Sequence, residues 1–267
     1  MKKVYHVVWL ARWLQRLTSA IVRRRKVIDL LPSFLAPRYR ILFDTRTGRL
    51  HKFVLRKSLS DYWSYDQCLA SGALDLERHP QGRSLRAHYV AMLTAGRTPA
   101  ILDCGANIGC STYWLANEFP KARILAVEPD TENAKLAVIN TRHCPNVRVV
   151  QAAVASADFL LALANTDNGA DAFRTELSAS GTIAGYSIAS LLSQIEAEPA
   201  DLLVAKIDIE GFEQELFSRN TDWVDSAAAI IVETHDWMLP GQATATNLLR
   251  RLSVGKRDFL VDGESQQ

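Results

Sequence analysis

Long apolar runs are missing from this 267-residue sequence. Nothing in it approaches the roughly 18–20 uninterrupted apolar residues that a membrane-spanning helix needs. Cysteine is scarce as well. Cys68, Cys104, Cys110 and Cys144 are scattered, with no C-x-x-C pair and no His/Cys cluster of zinc spacing. That pattern speaks against a disulfide framework or structural zinc and for a reducing, cytoplasmic setting. Acidic residues are absent from positions 1–28, which hold Lys2, Lys3, Arg12, Arg16, Arg23, Arg24, Arg25 and Lys26. Without those eight, 23 basic residues face 29 acidic ones, so the rest of the chain carries −6 although the whole carries +2. Repeats and low-complexity tracts are also lacking, and with 48% hydrophobic and 22% charged residues the composition is that of a globular protein with a core.

The basic segment reads as an amphipathic helix. Arg12, Arg16, Ser19 and Arg23 recur at three- and four-residue steps, and Val7, Val8, Leu10, Trp13, Leu14, Leu17, Ile21 and Val22 cover most of the rest. Arg12 interrupts the apolar run and no small-residue cleavage site follows, which argues against a secretory signal. Two readings stand. The helix lies peripherally on the anionic inner face of a membrane, with Trp9 and Trp13 in the interfacial zone, or it packs on its own domain with its arginines in solvent.

Beyond Pro32 and Pro37, "RYRILFDTRTGRLHKFVLR" (38–56) alternates apolar and polar residues around a Thr-Gly turn, the pattern of a β-hairpin. From residue 100 strand, turn and helix alternate. "AILDCG", "RILAVEP", "VRVVQAAV", "LLVAKIDIEG" and "AAIIVETHD" are apolar runs that read as strands. Between them "CSTYWLANEF" and "DTENAKLAVINTRH" read as helices, the second with Asp130 as N-cap. "ATATNLLRRLS" and "RDFLVDG" add a helix and a last strand. Continuous rather than alternating hydrophobicity suits strands buried on both faces. The predicted fold is α/β, doubly wound around a mostly parallel sheet, with an N-terminal helix and β-hairpin extension. The predicted division is 1–36 (basic helix), 37–96 (hairpin and helical extension on the substrate side) and 97–267 (the main domain).

In such sheets ligands sit outside the carboxyl ends of the strands. The turn in "ILDCGANIGCSTYW" (101–114) lies there, and Gly105 and Gly109 leave bare backbone where something comes close. Its wording discriminates among ligands. Gly109 is followed by Cys110 and Ser111 rather than by the Lys-Ser/Thr of a triphosphate loop. Asn107 stands where a dinucleotide fingerprint needs its middle glycine, which disfavours NAD. Glu128, in "AVEPD" after the second strand, is placed to accept both hydroxyls of a ribose. S-adenosylmethionine has that ribose and no phosphate, and its carboxylate suits helix N-terminal N–H groups near Ser111 and Thr112.

"LDCGANIGCST", "AVEPDTEN", "VQAAVAS", "KIDIEGFEQELF" and "IIVETHDWMLPG", in that order and spacing, resemble the FkbM family of S-adenosylmethionine-dependent methyltransferases. The resemblance covers about residues 100–240, with "SDYWSYDQCL" echoing the family's upstream segment, and K-I-D-I-E-G-x-E is its most specific block. It implies a Rossmann-like O-methyltransferase acting on sugars, polysaccharides or other natural products. The cofactor-binding set expected from these blocks is Asp103, Gly105, Ala106, Asn107, Gly109, Ser111, Glu128, Ala153 and Asp208. Cys104 departs from the β-branched residue more usual in the family.

Asp208, Glu210 and Glu213 follow the fourth long strand, and Glu233, His235 and Asp236 the fifth. Methyl transfer to a hydroxyl needs positioning and a proton acceptor. His235 is the natural general base, with Asp208 or Glu210 orienting it. Alternatively, carboxylates of both strand ends, Asp208 and Glu233, hold Mg²⁺ and acidify a chelated hydroxyl. Lys206 reads as closing its strand with an ion pair, Glu213 as charging a helix's first turn, and Trp237, Met238 and Pro240 as a loop over the pocket. The expected partner is a hydroxylated small molecule or a glycan or glycolipid precursor. Nucleic acid is disfavoured because the main domain is net acidic and no N-P-P-Y-type motif is present. A nicotinamide-dependent oxidoreductase and a non-catalytic cofactor-binding module are the rival readings.

Overall fold

A computed structural model describes residues 2–32, 38–165, 173–177, 181–255 and 257–261, the side chains of 2–9, 162–165 and 173–177 excepted. Helix α1 (Lys2–Val22) leads into a three-stranded antiparallel sheet, β1 (Val27–Asp29), β2 (Tyr39–Asp44) and β3 (Arg49–Val54), in the order β1-β2-β3. The predicted hairpin is β2–β3, and Gly48 closes its turn at φ +67° by donating its N–H to the Asp44 carbonyl. Next come α2 (Leu59–Tyr65), a π-helical turn at Asp66–Ala70, and α3 (Pro80–Thr94).

The central sheet then forms from β4 (Ala100–Cys104), β5 (Arg123–Val127) and β6 (Val147–Val150), with helix α4 (Cys110–Glu118) after β4 and α5 (Thr131–Thr141) after β5. Asp130 caps α5 as predicted, accepting the Asn133 N–H. A second, four-stranded sheet holds β7 (Ala153–Val154), β8 (Phe159–Asn165), β9 (Phe173–Leu177) and β10 (Ile183–Tyr186), in the order β7-β10-β8-β9. After α6 (Ile188–Ser193) come β11 (Leu202–Ile207), α7 (Glu213–Leu216), α8 (Trp223–Ser226), β12 (Ala229–Val232) and α9 (Thr246–Val254). The central order is β12-β11-β4-β5-β6, every pair parallel, so strand order reverses between β4 and β11.

Side chains of β4 alternate between two cores, as the period of two along a strand requires. Ile101 packs with α4 and with Val27, Leu42, Phe53, Tyr65, Leu85 and Tyr89 of the N-terminal extension. Ala100, Leu102 and Cys104 face the opposite core, built from α6, α8 and α9 through Leu191, Leu192, Trp223, Val224 and Leu248. The extension thus covers one face of the central sheet. Asn140 fastens it: its side-chain amide accepts the Val54 N–H and donates to the Val54 and Ile108 carbonyls.

Helix α1 packs by its middle, with Ala20 buried and Trp13 and Leu17 half-buried, while Arg16 donates to Tyr62 Oη and Asp66. Leu10, Leu14 and Ile21 stay exposed. No helix of the described residues is long and apolar enough to cross a membrane. The side chains of Val7, Val8 and Trp9 and most of segment 164–181 lie outside the described residues.

Two elements differ from expectation. "VRVVQAAV" is two strands, because the chain leaves β5 after Val150 and β7 pairs with β10 instead. Residues 257–261 form no strand. Arg257 donates to the Val224 and Ala227 carbonyls, and no strand among the described residues pairs with the segment.

Candidate active site

A cleft enclosing about 570 Å³, part of it open to solvent, lies at the carboxyl ends of β4, β5 and β11. This is the switch point, where a parallel sheet leaves room between strands whose connections run in opposite directions. Gly105, Asn107, Glu128, Ala153, Asp208 and Glu210 line it, as does Asn133. Asp103, Ala106, Gly109 and Ser111 do not. Asp103 is fully buried behind the turn and accepts hydroxyl bonds from Ser111 (2.8 Å) and Thr112 (2.5 Å), which spends the Ser111 side chain on the protein.

The two glycines answer first to the chain's own backbone. Gly105 sits at φ +82°, and a Cβ there would stand 1.7 Å from the Asp208 carbonyl oxygen. Gly109 sits at φ +88° with the Ala137 Cα 3.0 Å from a Cβ. Bare backbone at these positions lets the β4 turn touch the β11 turn and helix α5. Gly105 lines the cleft besides.

Glu128 is buried, yet its carboxylate faces the cleft. Oε2 accepts the Asn107 N–H at 2.8 Å, and Oε1 accepts the Asp130 N–H at 3.0 Å and Asn133 Nδ2 at 3.4 Å. Burial outweighs these donors and pushes the carboxyl up to about 7. Asn107, at φ +48°, keeps a buried Oδ1 with no hydrogen-bond partner. A buried carboxylate with an acceptor position left and an unpaired amide oxygen on one cleft suit a ligand that brings hydrogen-bond donors. The two hydroxyls and the ammonium of S-adenosylmethionine are such donors.

Beside it Lys206 ties the turns together. Its ammonium donates to Gly105 O (2.8 Å) and Asp208 Oδ2 (3.0 Å) and lies 3.5 Å from Asp103 Oδ1. Burial opposes the charge, but the Asp208 and Asp103 carboxylates outweigh it and hold Lys206 protonated. Burial alone would raise Asp208; the Lys206 ammonium and His235 hold it well below the usual carboxylate range. Glu210, at φ +55°, is pushed by burial up to about 7.

His235 is placed with its predicted neighbours but not in its predicted state. The ring is buried, with Nδ1 2.8 Å from Glu213 Oε1 and Nε2 3.5 Å from Asp208 Oδ1 and 3.6 Å from Glu210 Oε2. Burial lowers its pKa, but the Asp208 and Glu213 hydrogen bonds and the Glu213 and Glu210 charges raise it to about 10. These carboxylates favour the imidazolium, whereas a general base needs the neutral ring. Glu213, read from sequence as a helix-end charge, is fully buried and grips this ring.

Asp208, Glu233 and His235 offer ligand atoms within 4.8 Å of one another. The set does not fit Mg²⁺, which takes oxygen ligands in near-octahedral order. One of its three donors is an imidazole, and the Asp208 carboxylate already holds the Lys206 ammonium. Trp237, Met238 and Pro240 do not line the cleft; from that loop Leu239 packs on Gly211. Sequence reasoning missed Asn133 and Ser64, whose hydroxyl accepts from Asn107 Nδ2 at 3.3 Å. Asn133 could have been noticed as a polar residue in the first turn of the helix after Glu128. Ser64 gave no signal.

The model of the methyltransferase FkbM domain matches residues 103–259, more than half of the chain. The chain belongs to the FkbM family of S-adenosylmethionine-dependent methyltransferases. Among solved structures, the N-terminal domain of EvdMO1 with SAH bound is 33% identical over 28% of this chain and 30% of that one, at a TM-score of 0.20. The plantazolicin methyltransferase BpumL with SAH is 14% identical over 65% of this chain and 56% of that one, at 0.28. A second BpumL complex, with a monoazolic desmethylPZN analog and SAH, is 14% identical over 69% and 60%, also at 0.28. Each of these alignments spans less than two thirds of the other chain. No curated protein matches the sequence.

Proposed function

We propose that the cleft takes the adenosyl and methionyl parts of S-adenosylmethionine and that the protein methylates a hydroxyl of a sugar, a glycan or glycolipid precursor, or another natural product. The observation that carries this reading is Glu128, a buried carboxylate held by two backbone N–H groups and Asn133 on the switch-point cleft, with an acceptor position on Oε2 left for a hydroxyl donor. Bound there, S-adenosylmethionine supplies an electrophilic methyl group on a cationic sulfur.

The chain's residues then position the acceptor and take its proton. Glu210 lines the cleft, and its carboxyl at about 7 matches the pKa of an acid–base catalyst working near neutrality. It accepts the proton that the hydroxyl loses as its oxygen bonds to the methyl carbon. The His235 imidazolium, fixed by Glu213 and facing Asp208 and Glu210, keeps both carboxylates oriented. Lys206 and His235 together neutralise Asp208, so the site carries negative charge mainly where the proton arrives. A polar acceptor agrees with these carboxylates, which hydrogen-bond hydroxyl groups well and an apolar surface poorly.

The test is S-adenosylhomocysteine release from S-adenosylmethionine across a panel of hydroxylated glycosides and their O-methylated counterparts. Turnover is expected with a free hydroxyl and not with its methyl ether. Glu210→Gln is expected to lower kcat by roughly 10²-fold or more while cofactor affinity stays within about twofold. Turnover unchanged in Glu210→Gln contradicts the proton-acceptor role. Methyl transfer only to amines or thiols contradicts the hydroxyl.

A further inference from the structure

The hydrogen bonds around Glu128 do not stop at the cleft wall. On one flank Asn133 Nδ2 donates to Glu128 while Asn133 Oδ1 accepts from Arg56 Nη2 at 2.7 Å. Arg56 in turn is clamped by Asp61: Nη2 donates to Oδ1 at 2.6 Å, Nε donates to both oxygens at 3.1 Å, and the Arg56 backbone N–H reaches Oδ2 at 2.5 Å. On the other flank Asn107 gives its N–H to Glu128 and its amide Nδ2 to Ser64. Asp61 and Ser64 are three residues apart on α2, within one helical turn. The N-terminal extension therefore closes a ring, Asp61–Arg56–Asn133–Glu128–Asn107–Ser64, around the acid of the cleft.

We infer that Arg56 is a positioning residue of the ribose subsite, acting through Asn133 on Glu128. The inference rests on the cofactor reading above. A guanidinium has only donors, so Asn133 must turn Oδ1 to Arg56 and Nδ2 to Glu128. An amide freed of that contact is held to Glu128 only by its 3.4 Å bond and swings out of line more readily. Glu128 then loses a donor, and the cleft loses an oriented acceptor. The fully buried Asp61 fixes Arg56 at three points, so the guanidinium is already placed before any ligand arrives. Arg56 itself is exposed, its side chain at 40%. Because Asp61 is buried, any cation at position 56 serves the pair and its loss costs stability, whereas the reach to α5 belongs to the guanidinium and is what the ribose subsite uses. Lysine cannot replace it, because one ammonium cannot serve Asp61 and Asn133 in this planar fork.

The experiment is a double-mutant cycle read by calorimetric binding of S-adenosylhomocysteine to the full chain, with Arg56→Met, Asn133→Ala and the double variant. Arg56→Met is expected to weaken binding about tenfold in the wild-type background and less than about twofold in the Asn133→Ala background. Arg56→Lys, which keeps a cation for Asp61, is expected to show the same loss with the unliganded melting temperature unchanged. Equal losses in both backgrounds, or wild-type affinity in Arg56→Lys, overturn the inference and leave the cofactor reading standing. A wild-type protein that does not bind S-adenosylhomocysteine overturns the cofactor reading itself.

Discussion

Replacing Lys206 by methionine probes the contact on which the two turns of the site depend. The ammonium is the cation shared by Gly105 O, Asp208 and Asp103, and Asp103 is fully buried. Methionine keeps most of the volume and removes the charge, so the loss is electrostatic rather than a packing defect. Breaking a buried pair by removing one partner costs about 3–5 kcal/mol, because the remaining charge is uncompensated. Asp208 shares its charge with His235 and is partly open to the cleft, which places the expectation at the lower end, about 3 kcal/mol. The assay is urea unfolding of the unliganded protein at several pH values. The sign follows from Asp208, whose folded carboxyl is held below its unfolded value of 3.8. Its contribution is present above the unfolded value and lost as pH falls through the folded one. Without Lys206 the carboxyl titrates higher than in the wild type, so the deficit of the variant shrinks as pH falls below about 4, where the wild-type carboxylate is still charged. A deficit below about 1 kcal/mol at pH 7, or one that acid does not reduce, refutes the reasoning.

Other consequences concern the site's protonation. Burial raises Glu128 to about 7, so the folded state binds more protons than the unfolded one between 4.5 and 7, and unliganded stability falls as pH rises through that window. Ribose hydroxyls donating to the carboxylate favour its charged form. S-adenosylhomocysteine affinity is therefore expected to rise with pH up to about 7 and to flatten in Glu128→Gln, which calorimetry at several pH values checks. The His235 imidazole is expected to stay doubly protonated at pH 8 in nitrogen NMR spectra, and Glu213→Gln or Asp208→Asn to lower its titration toward the ordinary range. Chelator or added Mg²⁺ is expected to leave S-adenosylhomocysteine affinity within about twofold. A larger change would show that the Asp208–Glu233–His235 set holds a metal after all.

Much of the central sheet was legible because its strands are buried on both faces and read as unbroken apolar runs. "AILDC" and "LLVAKI" are buried at every position. The hairpin was legible for the opposite reason, since β2 alternates buried and half-buried residues along its length. The second sheet was not legible, because it forms when β10 pairs with β7 and β8 from different parts of the chain, and no local period announces such pairing. Gly105, Asn107, Glu128 and Asp208 were found from spacing after strand ends, a position that topology alone turns into a cleft. The ionisation of His235 was beyond sequence reasoning. Residue type sets a reference pKa, whereas Glu213, Asp208 and Glu210 reach the ring only through the fold. Arg56 escaped for the same reason: its partner Asn133 is 77 residues away along the chain.

The central claim is that this cleft recognises the adenosyl group through Glu128. It is tested most directly by calorimetric titration of the purified protein with S-adenosylmethionine and S-adenosylhomocysteine beside NAD, repeated with Glu128→Ala. The account predicts binding of both adenosyl compounds at about micromolar levels, no binding of NAD, and a loss of about tenfold or more in the variant. Binding of NAD instead, or adenosyl affinity unchanged without the Glu128 carboxylate, would contradict it.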